Sequence, residues 1–223
     1  MASFELYYPK LKKYEGGYAS DAYAKKMGDS GGETYKGIAR NYNKDWAGWK
    51  IIDAYKAKNG EPKYNTYIKD ATLDALAKEH SKKVYWDAMR LDEVKNQALA
   101  EFIGDYGFNS GVASVSKYTN RFVGLPEKTV ITSDTIKAIN NADQKKLFDS
   151  LQAHRIDLIT NSNKIDPKNK VGLLARAKSF VFDATEFAKE HKTATVVGLG
   201  FFFWIIVGVV VYIVYRNRKQ LAS

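Results

Sequence analysis

The sequence predicts a mainly α-helical chain, with a small β-hairpin or glycine-rich loop near its start and one membrane-spanning helix near its end. Three observations carry that expectation. Apolar residues recur at helical spacing through most of the chain. Six of the 16 glycines fall between Gly16 and Gly37. The 22 residues from Ala194 to Tyr215 carry no charge.

Composition removes several classes. A chain of 223 residues with 13% aromatic content can bury enough apolar surface to offset its conformational entropy, so it folds. It has no cysteine, which excludes disulfide scaffolds, thiol nucleophiles, zinc knuckles and iron–sulfur sites. His80, His154 and His191 are its three histidines and are widely spaced, so a three-histidine metal site is not expected. No metal or organic cofactor is implied.

The elements follow in order. Phe4 to Tyr14 places Phe4, Leu6, Tyr7, Leu11 and Tyr14 at spacings that fit one buried helical face, with Pro9 inside it. Gly16, Gly17, Gly28, Gly31, Gly32 and Gly37 then mark tight turns and close backbone approach, as in a hairpin or a loop that lines a cleft. Helical periodicity resumes in Thr72 to Met89, where Leu73, Leu76, Ala77, Val84, Tyr85 and Ala88 share a face, and continues in Asn96 to Tyr106 and Ala113 to Phe122. Ser133 or Asp134 can cap a short helix through Ile139. Ala142 to Ile159 carries Leu147, Leu151, His154 and Leu158 along one stripe, where His154 reads as a core or edge histidine. Asn161 to Lys170 reads as a loop broken at Pro167. Val171 to His191 is expected to be an amphipathic helix that packs on the folded part through Leu173, Ala177, Phe180, Val181, Ala184 and Phe187.

A helix over Ala194 to Tyr215 would reach about 33 Å at roughly 1.5 Å per residue, enough for a hydrocarbon core of about 30 Å. Tyr212 and Tyr215 would sit at the far interface, followed by Arg216, Arg218 and Lys219. Residues 193–223 hold three basic and no acidic side chains, so the remainder has 32 Lys and Arg against 25 Asp and Glu, or +7. That balance favours an anionic partner: nucleic acid, acidic lipid or a carboxylate-rich cell wall. The chain has no Lys/Arg run longer than two and no nucleic-acid-binding signature, so nucleic acid is not the expected partner.

With cysteine absent and histidine scarce, chemistry falls to carboxylates. Cleaving a glycosidic bond needs a carboxylic acid to protonate the leaving oxygen, and usually a second carboxylate to activate water or stabilise the cation. Glu15 is the leading acid. It ends an apolar helix, lies between Tyr14 and Tyr18, and faces glycines that leave room for a substrate. Apolar surroundings would raise its pKa and keep it protonated. The alternative is an ordinary glutamate at a helix end.

Tyr14-Glu15-Gly16-Gly17-Tyr18, then Gly28-Asp29-Ser30-Gly31-Gly32-Glu33-Thr34-Tyr35-Lys36-Gly37-Ile38, resembles the E-G-G-Y and D-x-G-G-x-T-x-x-G-I signature of glycoside hydrolase family 108, the lysozyme-like N-acetylmuramidases. The similarity continues through Val84 to Arg90 and Gly104 to Gly111, and from about Asn109 to Ala175 the chain is similar to the peptidoglycan domain that normally follows. Two departures stand out. Ala24-Lys25-Lys26-Met27 replaces the acidic run before the glycine turn, and the late G-W-x-x-R-like segment reads Gly172-Leu173-Leu174-Ala175-Arg176, without the tryptophan.

The resemblance implies that Glu15 is the catalytic acid, that Asp29 activates water or stabilises the cation, and that the Thr34 hydroxyl positions water. Asp21 and Glu33 compete with Asp29. Tyr18, Tyr35, Tyr106 and Asn109 are candidates for the saccharide cleft, through ring stacking and amide pairing with an N-acetyl group, or else the tyrosines are core residues with satisfied hydroxyls. Trp46, Trp49 and Trp86 read as packing anchors.

The expected organisation is a lysozyme-like catalytic region at 1–90, a peptidoglycan domain at 91–176 completing the helical fold, an amphipathic juxtamembrane helix at 177–192, a transmembrane helix at 193–216 and a basic tail at 217–223. The expected function is hydrolysis of the β-1,4 bond between N-acetylmuramic acid and N-acetylglucosamine, in phage lysis or wall remodelling. The expected partners are peptidoglycan, the bilayer of a bacterial inner membrane, and a holin or secretion apparatus. A membrane-anchored wall-binding protein without activity is the alternative. Charges flank the apolar stretch on both sides, so orientation is left open.

Overall fold

A computed structural model describes residues 1–163 and 165–182; the apolar stretch from Ala194 to Tyr215 and the basic tail lie outside the described residues. Among the described residues no helix is long and apolar enough to cross a membrane.

The chain opens with α1 (Phe4–Tyr14), which buries Phe4, Tyr7 and Leu11 at the i, i+3 and i+7 spacing of one helical face. Leu6 and Tyr14, expected on that face, are instead exposed. Pro9 removes a helical N–H donor, yet the helix continues, because buried side chains anchor it on both sides of the proline. The first turn is held from a distant element: Gln97 accepts from the Ser3 N–H at 2.7 Å and donates to the Ser3 carbonyl at 3.0 Å.

The glycine-rich stretch forms a three-stranded antiparallel sheet, β1 (Tyr18–Ala19), β2 (Thr34–Tyr35) and β3 (Ile38–Ala39), with the short helix α2 (Asp21–Lys26) between the first two strands. Tyr18 pairs with Tyr35, and Tyr35 with Ile38. The two residues joining β2 to β3, Lys36 and Gly37, have φ of 47° and 75°, the left-handed geometry that a two-residue hairpin requires. The sheet rests on a small core of Tyr18, Tyr35, Ile38, Trp49, Ile52 and Leu73.

That core is completed by α3 (Gly48–Asn59) and α4 (Ala71–Ser81). The helix expected over Thr72–Met89 ends at Ser81 and continues as a π-helical turn over Lys82–Trp86 and a 3-10 turn over Asp87–Met89. The change of winding turns Trp86 inward, where it stacks on Tyr7 at 5.5 Å. α5 (Gln97–Ser110) is the central helix, buried almost continuously from Gln97 to Gly107. Around it lie α6 (Val112–Phe122), α7 (Ser133–Asn141), α8 (Gln144–Asn161) and α9 (Pro167–Ser179). Thr132, Asp143 and Asp166 cap the last three through side-chain oxygens.

The larger core joins Phe4, Leu11 and Trp86 to Phe102, Ile103, Phe148 and Leu151, so the expected 1–90 and 91–176 parts share one interior within the compact unit Met1–Phe182. Each fully buried Leu, Ile or Phe contributes about 1.5–3 kcal/mol by removal from water. The amphipathic helix expected over Val171–His191 begins earlier, at Pro167, and gives way to extended backbone at Phe180. Phe180 is buried against Phe102, which fixes the chain direction there; residues from 183 onward lie outside the described residues.

Candidate active site

Glu15 is the residue at which α1 ends. Its backbone is extended (φ −89°, ψ 124°), its carbonyl accepts from the Tyr67 hydroxyl at 2.8 Å, and Gly16 and Gly17 carry the chain away. Gly17 must be glycine: a Cβ there would lie 2.4 Å from the Thr66 carbonyl oxygen. This close approach brings the 65–68 loop against the end of α1 and builds a cleft of about 200 Å³. Its lining includes Tyr8, Lys12, Glu15, Lys36, Tyr67 and Asp74.

The Glu15 carboxylate is held on two sides. Oε1 accepts from Arg176 Nη1 at 2.9 Å. Oε2 has no hydrogen-bond partner among the described residues and lies against the hairpin turn, where a Cβ on Gly37 would come within 2.5 Å of it. The side chain is 13% exposed. Burial raises the Glu15 pKa above its ordinary value and outweighs the opposing pull of the Arg176 guanidinium; buried Asp105 adds to the rise. The result is a carboxyl at the wall of a cleft whose pKa is moved in the direction that a general acid requires.

Arg176 is itself fixed by Asp105, which is fully buried on α5. Arg176 Nε and Nη2 reach Asp105 Oδ1 at 3.0 and 2.7 Å, Arg155 Nη1 reaches Oδ2 at 2.9 Å, and the Tyr7 hydroxyl donates to Oδ1 at 3.3 Å. Two carboxylates thus face two guanidiniums, and the group is compensated without bulk water. Arg176 also stacks on Tyr14 at 4.8 Å and lies 5.8 Å from the Phe108 ring, which leaves its fork little freedom.

The other site residues expected from sequence are placed as follows. Asp29 is exposed, and its Oδ1 accepts from the Gly31 N–H at 2.7 Å in a side-chain turn. Thr34 is half-buried on β2 and donates to the Gly32 carbonyl at 2.9 Å. Neither lines the cleft that Glu15 lines, whereas Asp74 on α4 does, paired with Lys36. Asp21 pairs with Lys25 on the surface. Glu33 is buried and bound at 2.6–2.7 Å by the Tyr18 hydroxyl, Lys56 and Arg40, so its role is to hold the sheet.

Three of the four expected saccharide contacts are corrected. Tyr18, Tyr35 and Tyr106 are at most 1% exposed, so no ring face is open to a sugar. The hydroxyl of Tyr18 is spent on Glu33, that of Tyr35 on the Ile68 backbone, and that of Tyr106 on His154 Nδ1. Asn109 is exposed on the last turn of α5, and its amide donates to the Asp105 carbonyl at 2.9 Å. The tyrosines that do line the clefts are Tyr8 and Tyr67 beside Glu15, and Tyr14 beside Arg176. Asp105 and Arg176 carry no local signal of a site role, although both stand inside the family-like segments Gly104 to Gly111 and Gly172 to Arg176. Among the described residues no group of three His, Asp or Glu side chains is placed to hold a metal ion.

No curated protein sequence matches this chain. The solved structure of Brucella abortus SagA aligns over 82% of this chain and 97% of that one, with a TM-score of 0.53 at 20% sequence identity, a likeness of fold. The family model for glycosyl hydrolase 108 matches residues 8–111, a span that holds Glu15, the sheet, the cleft and Asp105. Arg176 lies beyond the matched span, and the chain carries a domain of the glycosyl hydrolase 108 family.

Proposed function

We propose that this chain is a peptidoglycan hydrolase of the lysozyme type, an N-acetylmuramidase that cleaves the β-1,4 bond between N-acetylmuramic acid and N-acetylglucosamine. The observation that carries the reading is Glu15: a desolvated carboxyl, raised in pKa, on the wall of a cleft inside a glycosyl hydrolase domain. Glu15 protonates the leaving oxygen. Asp29 is assigned to water activation or cation stabilisation and the Thr34 hydroxyl to water positioning. Both lie on the glycine-rich segment that ends in the hairpin touching Glu15, which supports their reaching a bound glycan. Residues 194–215 tether the enzyme to the bacterial inner membrane, where a holin or a secretion apparatus gives it access to the wall.

Glu15→Gln tests the reading. It keeps the shape and one acceptor for Arg176 but cannot donate the proton, so release of reducing ends from purified peptidoglycan should fall by about 10²–10⁴-fold with folding retained. Activity equal to wild type in that assay removes Glu15 from the mechanism. Protease accessibility of the 1–182 unit in intact spheroplasts tests the tether and its orientation.

A further inference from the structure

The charges around the cleft are unequally committed. Arg176 is bound to Glu15 and Asp105, and Lys36 to Asp74. Lys12 and Lys69, which line the same cleft as Glu15, have no carboxylate partner among the described residues. Lys12 leans on the Tyr8 ring at 5.8 Å, a contact that leaves its ammonium free to bind an anion. A second cavity of about 460 Å³ is lined by Tyr14, Asn169, Gly172, Leu173 and Arg176, and its single lining cation is the committed Arg176. Uncommitted positive charge therefore lines the Glu15 cleft and not the second cavity.

We propose that Lys12 and Lys69, on the wall of the Glu15 cleft, form a carboxylate-binding subsite, which makes the enzyme selective for glycan that carries free carboxylates over a neutral polymer of N-acetylglucosamine. The inference deepens, and rests on, the reading of the cleft as the saccharide site. The ligand chemistry is a carboxylate held beside a sugar ring. Tyr8 and Tyr67 line the same cleft and offer apolar faces for the ring, while Lys12 and Lys69 offer opposite charge for the carboxylate. In peptidoglycan that carboxylate has two sources, the lactyl ether of muramic acid and the stem peptide attached to it. With the lactyl group amide-linked to the peptide, the stem is the source in intact wall; in peptide-stripped strands it is the lactyl group.

The test uses the full chain in detergent, with Lys12→Gln/Lys69→Gln compared with wild type. Equilibrium binding and turnover are measured on three soluble glycans: peptide-bearing strands, peptide-stripped strands, and stripped strands with the lactyl carboxyl reduced to the alcohol. The double variant should bind peptide-bearing strands about tenfold more weakly at low salt, with KM raised and kcat little changed, and the difference should shrink at high ionic strength. A loss confined to peptide-bearing strands assigns the stem; a loss that persists on stripped strands but disappears on the reduced ones assigns the lactyl group. Equal binding of variant and wild type to all three overturns the subsite. A wild type that binds with this selectivity yet releases no reducing ends overturns the hydrolase reading and leaves the subsite standing.

Discussion

Arg176 donates from Nη1 to Oε1 of Glu15 at 2.9 Å, and so ties the end of the first helix to the last described helix across 161 positions of sequence. The guanidinium gives its other donors to Asp105, whose burial leaves no alternative partner in water. Arg176 is therefore a positioning residue for the proposed acid.

Replacing it should move the pH profile in a defined direction. The Glu15 pKa is raised by burial and pulled back by Arg176. The acid form is present below the folded pKa and is lost as pH rises through it. Arg176→Gln removes the opposing cation, so the alkaline limb of kcat/KM should shift to higher pH. Removing one partner of a buried ion pair should also cost roughly 3–5 kcal/mol, read by chemical unfolding. Arg176→Lys keeps the charge and should hold the limb near wild type while losing the forked contact to Asp105. An unmoved alkaline limb in Arg176→Gln would show that the guanidinium does not tune Glu15.

The hairpin turn offers a second, steric test. Gly37 has φ of 75°, and a Cβ there would meet Glu15 Oε2 at 2.5 Å and Phe108 Cζ at 2.6 Å. Gly37→Ala should cost about 1–2 kcal/mol for the left-handed backbone and, by pushing the carboxyl aside, lower kcat by about 10²-fold. Gly124→Ala is the control: its φ is 78° but its Cβ would meet nothing within 4 Å. It should show the backbone cost with wild-type kcat. Equal kcat in the two variants would mean that the Gly37 contact does not set the acid's position.

The carboxylates can be sorted by which quantity moves. Glu33 is held by Tyr18, Lys56 and Arg40, so Glu33→Gln should lower stability by about 1.5–3 kcal/mol and leave kcat of the folded enzyme close to wild type. Asp29 is exposed and bonded only within its turn, so Asp29→Asn should leave the melting temperature nearly unchanged while lowering kcat by about 10²-fold if it activates water. Asp74→Asn belongs in the same series, because Asp74 lines the cleft with Glu15. A kcat loss at Asp74 with none at Asp29 would transfer the second role to α4.

What the sequence conveyed about this site depended on distance along the chain. Glu15 was legible because its signals are local: an apolar helix before it and two glycines after it. The central helix α5 was legible from its periodicity, and its length was underestimated by one turn because Phe108, Asn109 and Ser110 leave the buried stripe. α3 carries too short an apolar stripe to be legible as a helix, since only Gly48, Trp49 and Ile52 of its residues are buried. The Asp105–Arg176 pair spans 71 positions, and no local pattern links an aspartate on one helix to an arginine on another. Tyr18 and Tyr35 looked like cleft aromatics, but their pairing across β1 and β2 turns both rings into the small core. Only the register, a long-range property, decides which face of a strand is wet.

His154 gives a prediction about stability rather than catalysis. Expected at the core edge, it is half-buried on α8, with Nδ1 to the Tyr106 hydroxyl and Nε2 to the Arg121 guanidinium, both at 3.1 Å, and the Tyr118 ring 4.3 Å away. Burial lowers its pKa below 6.5, Arg121 lowers it further, and Asp157 opposes both. A histidine with a depressed folded pKa contributes stability that is fully present above its unfolded pKa and is lost as pH falls through the folded value. The full chain should thus lose melting temperature between neutral pH and mildly acidic pH, and His154→Gln should flatten the part of that slope due to this residue. His80 is also depressed by burial and by Lys83, so a residual slope is expected in the single variant, and His80→Gln/His154→Gln should flatten it further. A single variant whose slope matches wild type would mean that His154 takes up its proton equally in the folded and unfolded chain, so that burial and Arg121 do not depress it.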